Sequence, residues 1–127
     1  MLDTSVLIAR ERGAARWDRA VHDEDDVAMA AITLAELLVG VELADGRNRD
    51  RRGRYVADIV GAIPVVAYDA DTAVTHARLL AAVRRGGRPR GAHDLVIAAS
   101  AVASNRVVLT TDASGFSDLP DVDVRVL

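Results

Sequence analysis

Apolar positions along the chain change period several times. From Val6 to about Arg12 they recur at helical spacing and stop near Gly13, and residues 14–22 continue as a second helical stretch. "DVAMAA" at 26–31 reads as a strand. From Leu34 to about Asp45 the residues Leu34, Leu37, Leu38 and Val41 mark one face of a helix that Gly46 closes. Another helix runs through "RYVADIVGA", with Tyr55, Ile59 and Ala62 on one side. "IPVVAY" at 63–68 is rich in strand formers, and its proline suits a strand entrance. Asp69 or Asp71 then caps a long helix striped by Ala73, Ala77, Leu80 and Val83. "RGGRPRGA" breaks that helix and is the best candidate for a mobile loop. "HDLVIAASAVAS" is apolar nearly all round, which predicts a helix buried on most sides. "RVVLTT" at 106–111 lacks alternation, as a parallel strand covered on both faces does, and "DVRVL" ends the chain as an edge strand.

Strands separated by helices, with continuous apolar strands, predict an α/β fold with a mostly parallel central sheet. A chain of 127 residues fits a single domain, 1–127, and no repeat or linker divides it. In such sheets ligands sit beyond the carboxyl ends of the strands.

Composition narrows the chemistry. Half the residues are apolar, yet the aromatics are only Trp17, Tyr55, Tyr68 and Phe116, so Ala, Val, Leu and Ile must build the core. There is no cysteine, hence no disulfide framework and no thiolate chemistry, in keeping with a reducing, cytoplasmic setting. The N-terminus lacks a signal-peptide pattern, and no apolar run reaches the roughly 18 residues of a membrane span. Every cation is arginine. The absence of lysine excludes a P-loop, whose Lys sits on the phosphates, and a Schiff-base enzyme, which needs an amine.

The net charge of −3 predicts no nucleic-acid partner, but the arginines bunch in two places. One group is Arg47, Arg49, Arg51, Arg52 and Arg54; the other is Arg84, Arg85, Arg88 and Arg90. Such runs are usually solvated faces, although two local basic patches can also grip a phosphate backbone.

Four acids stand at comparable places. Asp3 follows the first strand fragment and Asp112 follows "VVLTT"; Glu36 lies in the first turn of one helix and Asp94 opens another. Each has an ordinary explanation. Asp3 suits an N-cap, Thr33-x-x-Glu36 reads as a capping box, Asp94 favours a helix N-terminus, and Asp112 suits an Asx turn. Brought together, however, the four would repel and raise one another's pKa, a conflict that a hard divalent cation relieves. Carboxylates without Cys and with few His fit Mg²⁺ or Mn²⁺ better than zinc, and His22, His76 and His93 lack the H-E-x-x-H spacing. His93, beside Asp94, reads as a local neighbour. Such a metal centre is most readily suited to phosphate chemistry.

At these residues the sequence resembles the PIN-domain ribonucleases, specifically the VapC-type toxins of bacterial toxin–antitoxin pairs. The matching stretches are "LDTSVLI" at 2–8, "ITLAELLVGVELA" at 32–44, "DADTAVTHARLLA" at 69–81, "AHDLVIAASAVASN" at 92–105 and "VVLTTDASGFSDLPDV" at 107–122. The resemblance implies a PIN-like three-layer sandwich in which Asp3, Glu36, Asp94 and Asp112 hold one or two Mg²⁺ or Mn²⁺ ions. Ser5 and Thr110 would orient carboxylates or metal waters. It further implies hydrolysis of RNA by an activated water, a homodimer, and a VapB-type antitoxin whose tail covers the acidic cleft and places an Arg among the carboxylates. Arg51, Arg52, Arg84, Arg85, Arg88 and Arg90 are the candidates for RNA contact.

One departure from the family is that relatives carry several more residues before the first acid, whereas only Met1 and Leu2 precede Asp3. Either the numbering begins late, or Asp3 is held mainly by capping its helix, and disorder is expected first at this end. Two other readings stay open: a catalytically weak PIN-like module that sequesters antitoxin or co-regulates its operon, and a small Mg²⁺-dependent phosphatase-like protein.

Overall fold

The structure, a computed structural model, describes residues 1–13, 20–22 and 24–127. The second helical stretch expected at 14–22 falls largely outside the described residues. Helix α1 spans Thr4–Glu11, strand β1 Met29–Ala30, helix α2 Ala31–Glu42, helix α3 Gly46–Ala62 and strand β2 Val65–Val66. Helix α4 (Ala70–Gly86), helix α5 (Ala92–Ala103), strand β3 (Val108–Thr110), a 3₁₀ turn (Ala113–Gly115) and strand β4 (Val124–Val126) complete the order.

The sheet is parallel throughout. β1 pairs with β2 through Met29 opposite Val65, and β3 pairs with β4 through Val108 opposite Val124. Between these two pairs lies Leu2, bridged in parallel to both Met29 and Leu109. The first strand therefore occupies the middle of the sheet with a single bridged residue. Leu2 N donates to Ala28 O at 2.8 Å, Leu109 N to Met1 O at 2.8 Å, and Asp3 N to Leu109 O at 2.9 Å. Bonds on both flanks hold it, and Met1, Leu2 and Asp3 are all buried. The end expected to fray is part of the core.

Successive strand residues face opposite sides of a sheet, and here each strand feeds two cores. Met1, Ala30 and Val108 pack with Leu79 of α4 and with Leu95, Ile97 and Ala98 of α5. Leu2, Met29 and Leu109 pack with Val6 and Leu7 of α1, Leu37 of α2, and Val56 and Ile59 of α3. The result is a helix–sheet–helix sandwich.

Several local expectations shift. The strand expected at 26–31 is only two residues long, because Ala31 already belongs to α2. Gly46 does not close α2, which ends at Glu42; it opens α3 with a φ of +43°, a conformation that suits glycine. The buried stripe of α3 is Val56 and Ile59, while Ala62 is exposed and Tyr55 is half-buried, donating its hydroxyl to Leu7 O at 2.7 Å. Helix α4 buries Thr72, Thr75 and Leu79 rather than Ala73 and Ala77. It runs through Gly86 and stops at Gly87, whose φ is +67° and whose N–H bonds Val83 O. Among the described residues, no helix is long and apolar enough to cross a membrane.

Candidate active site

The carboxyl ends of Leu2 and β3 deliver Asp3 and Asp112, and the N-terminal turns of α2 and α5 deliver Glu36 and Asp94. All four sit at the same edge of the sheet. Asp3 is 8% exposed. It occupies the N-cap position of α1, but its side chain makes no cap bond. Instead Oδ2 accepts from Ser5 Oγ at 2.5 Å and from Thr110 Oγ1 at 2.8 Å, leaving Oδ1 without a protein donor among the described residues. Thr110 Oγ1 in turn accepts from Asp112 N at 3.1 Å, and Ser5 Oγ accepts from Thr111 N at 3.1 Å. The hydroxyls of Ser5 and Thr110 thus tie the first acid to the β3 end.

Asp112 is held locally. Its Oδ1 accepts from Ser114 N at 2.9 Å, an Asx-type turn into the 3₁₀ segment. The backbone and hydroxyl bonds of Ser114 hold its pKa below the ordinary carboxylate value.

The capping-box reading of Glu36 does not hold. Ala30 is the N-cap of α2, and Thr33 lies fully buried in the first turn, its hydroxyl only 3.5 Å from Leu2 O. Glu36 is engaged from elsewhere in the chain. Thr4 Oγ1 donates to Oε2, and His93 Nδ1 lies 2.6 Å from Oε1. Acceptance by a carboxylate places the proton on Nδ1. Thr4 and His93 are the two site residues that sequence reasoning misses. Their only signal is adjacency, Thr4 following Asp3 and His93 preceding Asp94.

Asp94 is the third residue of α5. A helix N-terminus should favour its charge, yet its pKa is raised, first by burial and then by the charges of Asp3 and Glu36, with a smaller push from Asp112. All three other acids therefore act on one carboxyl group, which is the conflict anticipated for a converged quartet. His93 offsets it only in part. No hydrogen-bond donor among the described residues reaches the Asp94 carboxylate.

Among the described residues, no three His, Cys, Asp or Glu side chains form a ready-made metal cage. The donor chemistry nevertheless fits a hard cation. The converging groups are all oxygen donors, and among the described residues neither Asp94 nor Oδ1 of Asp3 receives a hydrogen bond.

The arginine candidates divide. Arg51 and Arg52 approach Glu11 at 3.5 and 3.8 Å, and Arg52 Nη1 donates to Gly40 O at 2.9 Å. Arg88 pairs with Asp118 at 3.1 Å and Arg90 Nη2 donates to Ser117 O at 2.9 Å. Arg84 and Arg85, in the exposed last turn of α4, make no such bond among the described residues.

Comparison with known proteins gives the family. The PIN domain family profile matches residues 1–122. The chain is 37% identical over 114 residues to Ribonuclease VapC5 of Mycobacterium tuberculosis, covering 88% of this chain and 82% of that protein. The solved structure of VapBC-5, a member of the VapBC family of toxin-antitoxin systems from the same organism, superposes with a TM-score of 0.82 at 31% identity, covering 99% and 96% of the two chains. VapBC2 of Rickettsia felis, solved bound to a DNA fragment from its promoter, superposes at 0.90 over 100% and 97% of the chains; at 19% identity it speaks for the fold alone. The chain belongs to the PIN-domain family, in its branch of VapC ribonuclease toxins.

Proposed function

We propose that this protein is a Mg²⁺- or Mn²⁺-dependent endoribonuclease whose activity inhibits translation and growth, and which is restrained by a cognate VapB-type antitoxin. The carrying observation is Asp94: half-buried, without a hydrogen-bond donor among the described residues, and pressed by three other carboxylates. Asp3, Glu36, Asp94 and Asp112 would hold the ion, which lowers the pKa of water and neutralises charge at the phosphate under attack.

The chain's own residues prepare that site. Ser5 and Thr110 fix one oxygen of Asp3 and leave the other without a protein donor among the described residues. Thr4 and His93 hold both oxygens of Glu36, so that this longer side chain loses little further freedom when it engages a ligand. Ser114 keeps Asp112 ionised. RNA would be gripped by Arg84, Arg85, Arg88, Arg90, Arg51 and Arg52, with Arg84 and Arg85, which form no ion pair among the described residues, giving the largest electrostatic share. The antitoxin is inferred from the toxin–antitoxin complexes that the fold resembles, and a homodimer is expected from the same family.

Cleavage of RNA by the purified protein, with Mg²⁺ or Mn²⁺ and after chelation, tests the reading. Cleavage should vanish on chelation and return with Mn²⁺. Glu36→Gln should collapse turnover with little unfolding, because Glu36 caps nothing. A Glu36→Gln protein that cuts as well as the parent removes Glu36 from the site, and a parent that binds antitoxin but never cuts leaves only the binding-module reading. Replacing Arg84 and Arg85 with Gln should flatten the dependence of RNA affinity on salt, by a log–log slope of about 0.7 for each phosphate no longer neutralised.

A further inference from the structure

Of the nine glycines, two are crowded, and both are crowded by the same carboxylate. A Cβ built on Gly91 would lie 2.6 Å from Asp94 Oδ2 and 3.2 Å from Cγ. One built on Gly115 would lie 2.5 Å from the same oxygen and 2.8 Å from Cγ. Neither position needs glycine for its backbone: Gly91 has a φ of −57°, and Gly115 is not among the residues of positive φ. Gly13, Gly46 and Gly87 do have positive φ, and Gly61 and Gly86 face open space. What Gly91 and Gly115 supply is room.

We propose that Gly91 and Gly115 are positioning residues, two bare backbone walls that form a slot for the Asp94 carboxylate. This rests on the reading of Asp94 as part of the nuclease site. The walls come from different segments, the N-cap of α5 and the 3₁₀ turn after Asp112. The two segments are braced to each other. Arg90, next to Gly91, donates to Ser117 O at 2.9 Å, and Arg88 pairs with Asp118 at 3.1 Å. Ser117 N closes the turn on Ala113 O at 2.8 Å, while Phe116 anchors it in the core at 2% exposure. Asp3 and Glu36 are aimed by hydrogen bonds. Asp94 has no hydrogen-bond donor among the described residues and is aimed by confinement instead. A methyl group on either wall must push the carboxylate out of line or open the brace.

The test is a double-mutant cycle read by thermal melting of the metal-free protein, followed by kinetics and metal binding. Gly115→Ala and Gly91→Ala should each lower Tm, and most of that loss should disappear when Asp94→Ala is also present, since the clashing atoms are then gone. Gly86→Ala, in open space at the end of α4, serves as the control and should not lower Tm. With RNA, Gly115→Ala should reduce kcat by about 100-fold with KM within about 2-fold, the scale of a misplaced catalytic group. Calorimetric Mn²⁺ affinity should fall by about 10-fold. If Gly115→Ala does not fold alone, recovery of folding in the Asp94→Ala background supports the slot, and failure in both backgrounds overturns it. An equal Tm loss in both backgrounds overturns it too, as does parental cleavage by both glycine variants. If the parent itself cuts no RNA, the nuclease reading fails while the melting cycle still decides the slot.

Discussion

Asp3 and Asp69 begin their helices in the same way and use their carboxylates in opposite ways. Both occupy N-cap positions with extended backbone, Asp3 before α1 and Asp69 before α4. Asp69 turns inward to its own helix, where Oδ1 accepts from Thr72 N at 2.9 Å and from the Thr72 hydroxyl at 3.0 Å. Asp3 accepts no backbone N–H from its helix; its Oδ2 takes one hydroxyl from Ser5 and a second from Thr110, 107 positions away. An acid whose donor lies three residues downstream serves its helix. An acid that accepts no N–H from its helix and takes a donor from another strand has been turned away from that role. Helix start and candidate site differ in whether a donor comes from outside the helix, as Thr110 does for Asp3.

The comparison can be broken most decisively by mutation of the acids. Asp94→Asn and Asp3→Asn should each cut RNA cleavage by roughly 10²–10³-fold or more, the scale of removing one electrostatic element from a preorganised site, with far-UV circular dichroism unchanged. Asp94→Asn should in addition raise the Tm of the metal-free protein, because it removes a charge that burial and three neighbouring carboxylates disfavour. A mutant that digests RNA at the parental rate with Mg²⁺ supplied would eliminate its acid from the site.

Thr110→Val is expected to have an intermediate effect. It deprives the buried Asp3 carboxylate of one donor and takes the acceptor away from Asp112 N, on an exposed residue. A stability loss of about 1–3 kcal/mol in denaturant melts follows from the unsatisfied groups. Cleavage should fall by about 10-fold, as for a missing orienting partner, whereas unchanged cleavage would show that Ser5 alone aims Asp3. Asp69→Ala should move the other way round: Tm drops by a few degrees through the lost cap, and cleavage per folded molecule stays at the parental rate.

The smallest effect is on pH dependence, and its sign differs between the two kinds of acid. Asp69 has its pKa lowered by the Thr72 bonds, so its stabilisation is present above the ordinary carboxylate value and is lost as pH falls through the depressed one. Asp94 has its pKa raised, so the folded state keeps that proton longer. Metal-free stability should therefore decline as pH rises from the ordinary value through the raised one. Melting curves across this range should lose the Asp94 limb in Asp94→Asn and the Asp69 limb in Asp69→Ala.

The alternation of helices with apolar strands is enough to read the α/β class and parallel sheet, because burial on both faces keeps the central strand positions of β1 and β3 largely apolar. The acids are legible for a related reason: they stand where strands end and helices begin, the places that face a cleft in such sheets. Element edges are less so. Ala-rich helices give little contrast between faces, and α4 buries Thr72 and Thr75 where the pattern predicts alanines. The run at 26–31 is apolar enough for a strand or a buried helix start, and α2 takes its last residue.

The sequence by itself determined the elements, the sheet type and the four carboxylates, because each rests on local periodicity or on residue chemistry. Only the tertiary structure decided how those acids are used. Thr110 beside Asp3, Thr4 and His93 beside Glu36, and Gly115 beside Asp94 come from segments distant in the chain, and no local pattern encodes such proximity. It likewise decided that Leu2, a one-residue remnant of strand, can hold the first acid firmly. The bonds that secure it belong to its neighbours on both sides rather than to its own length.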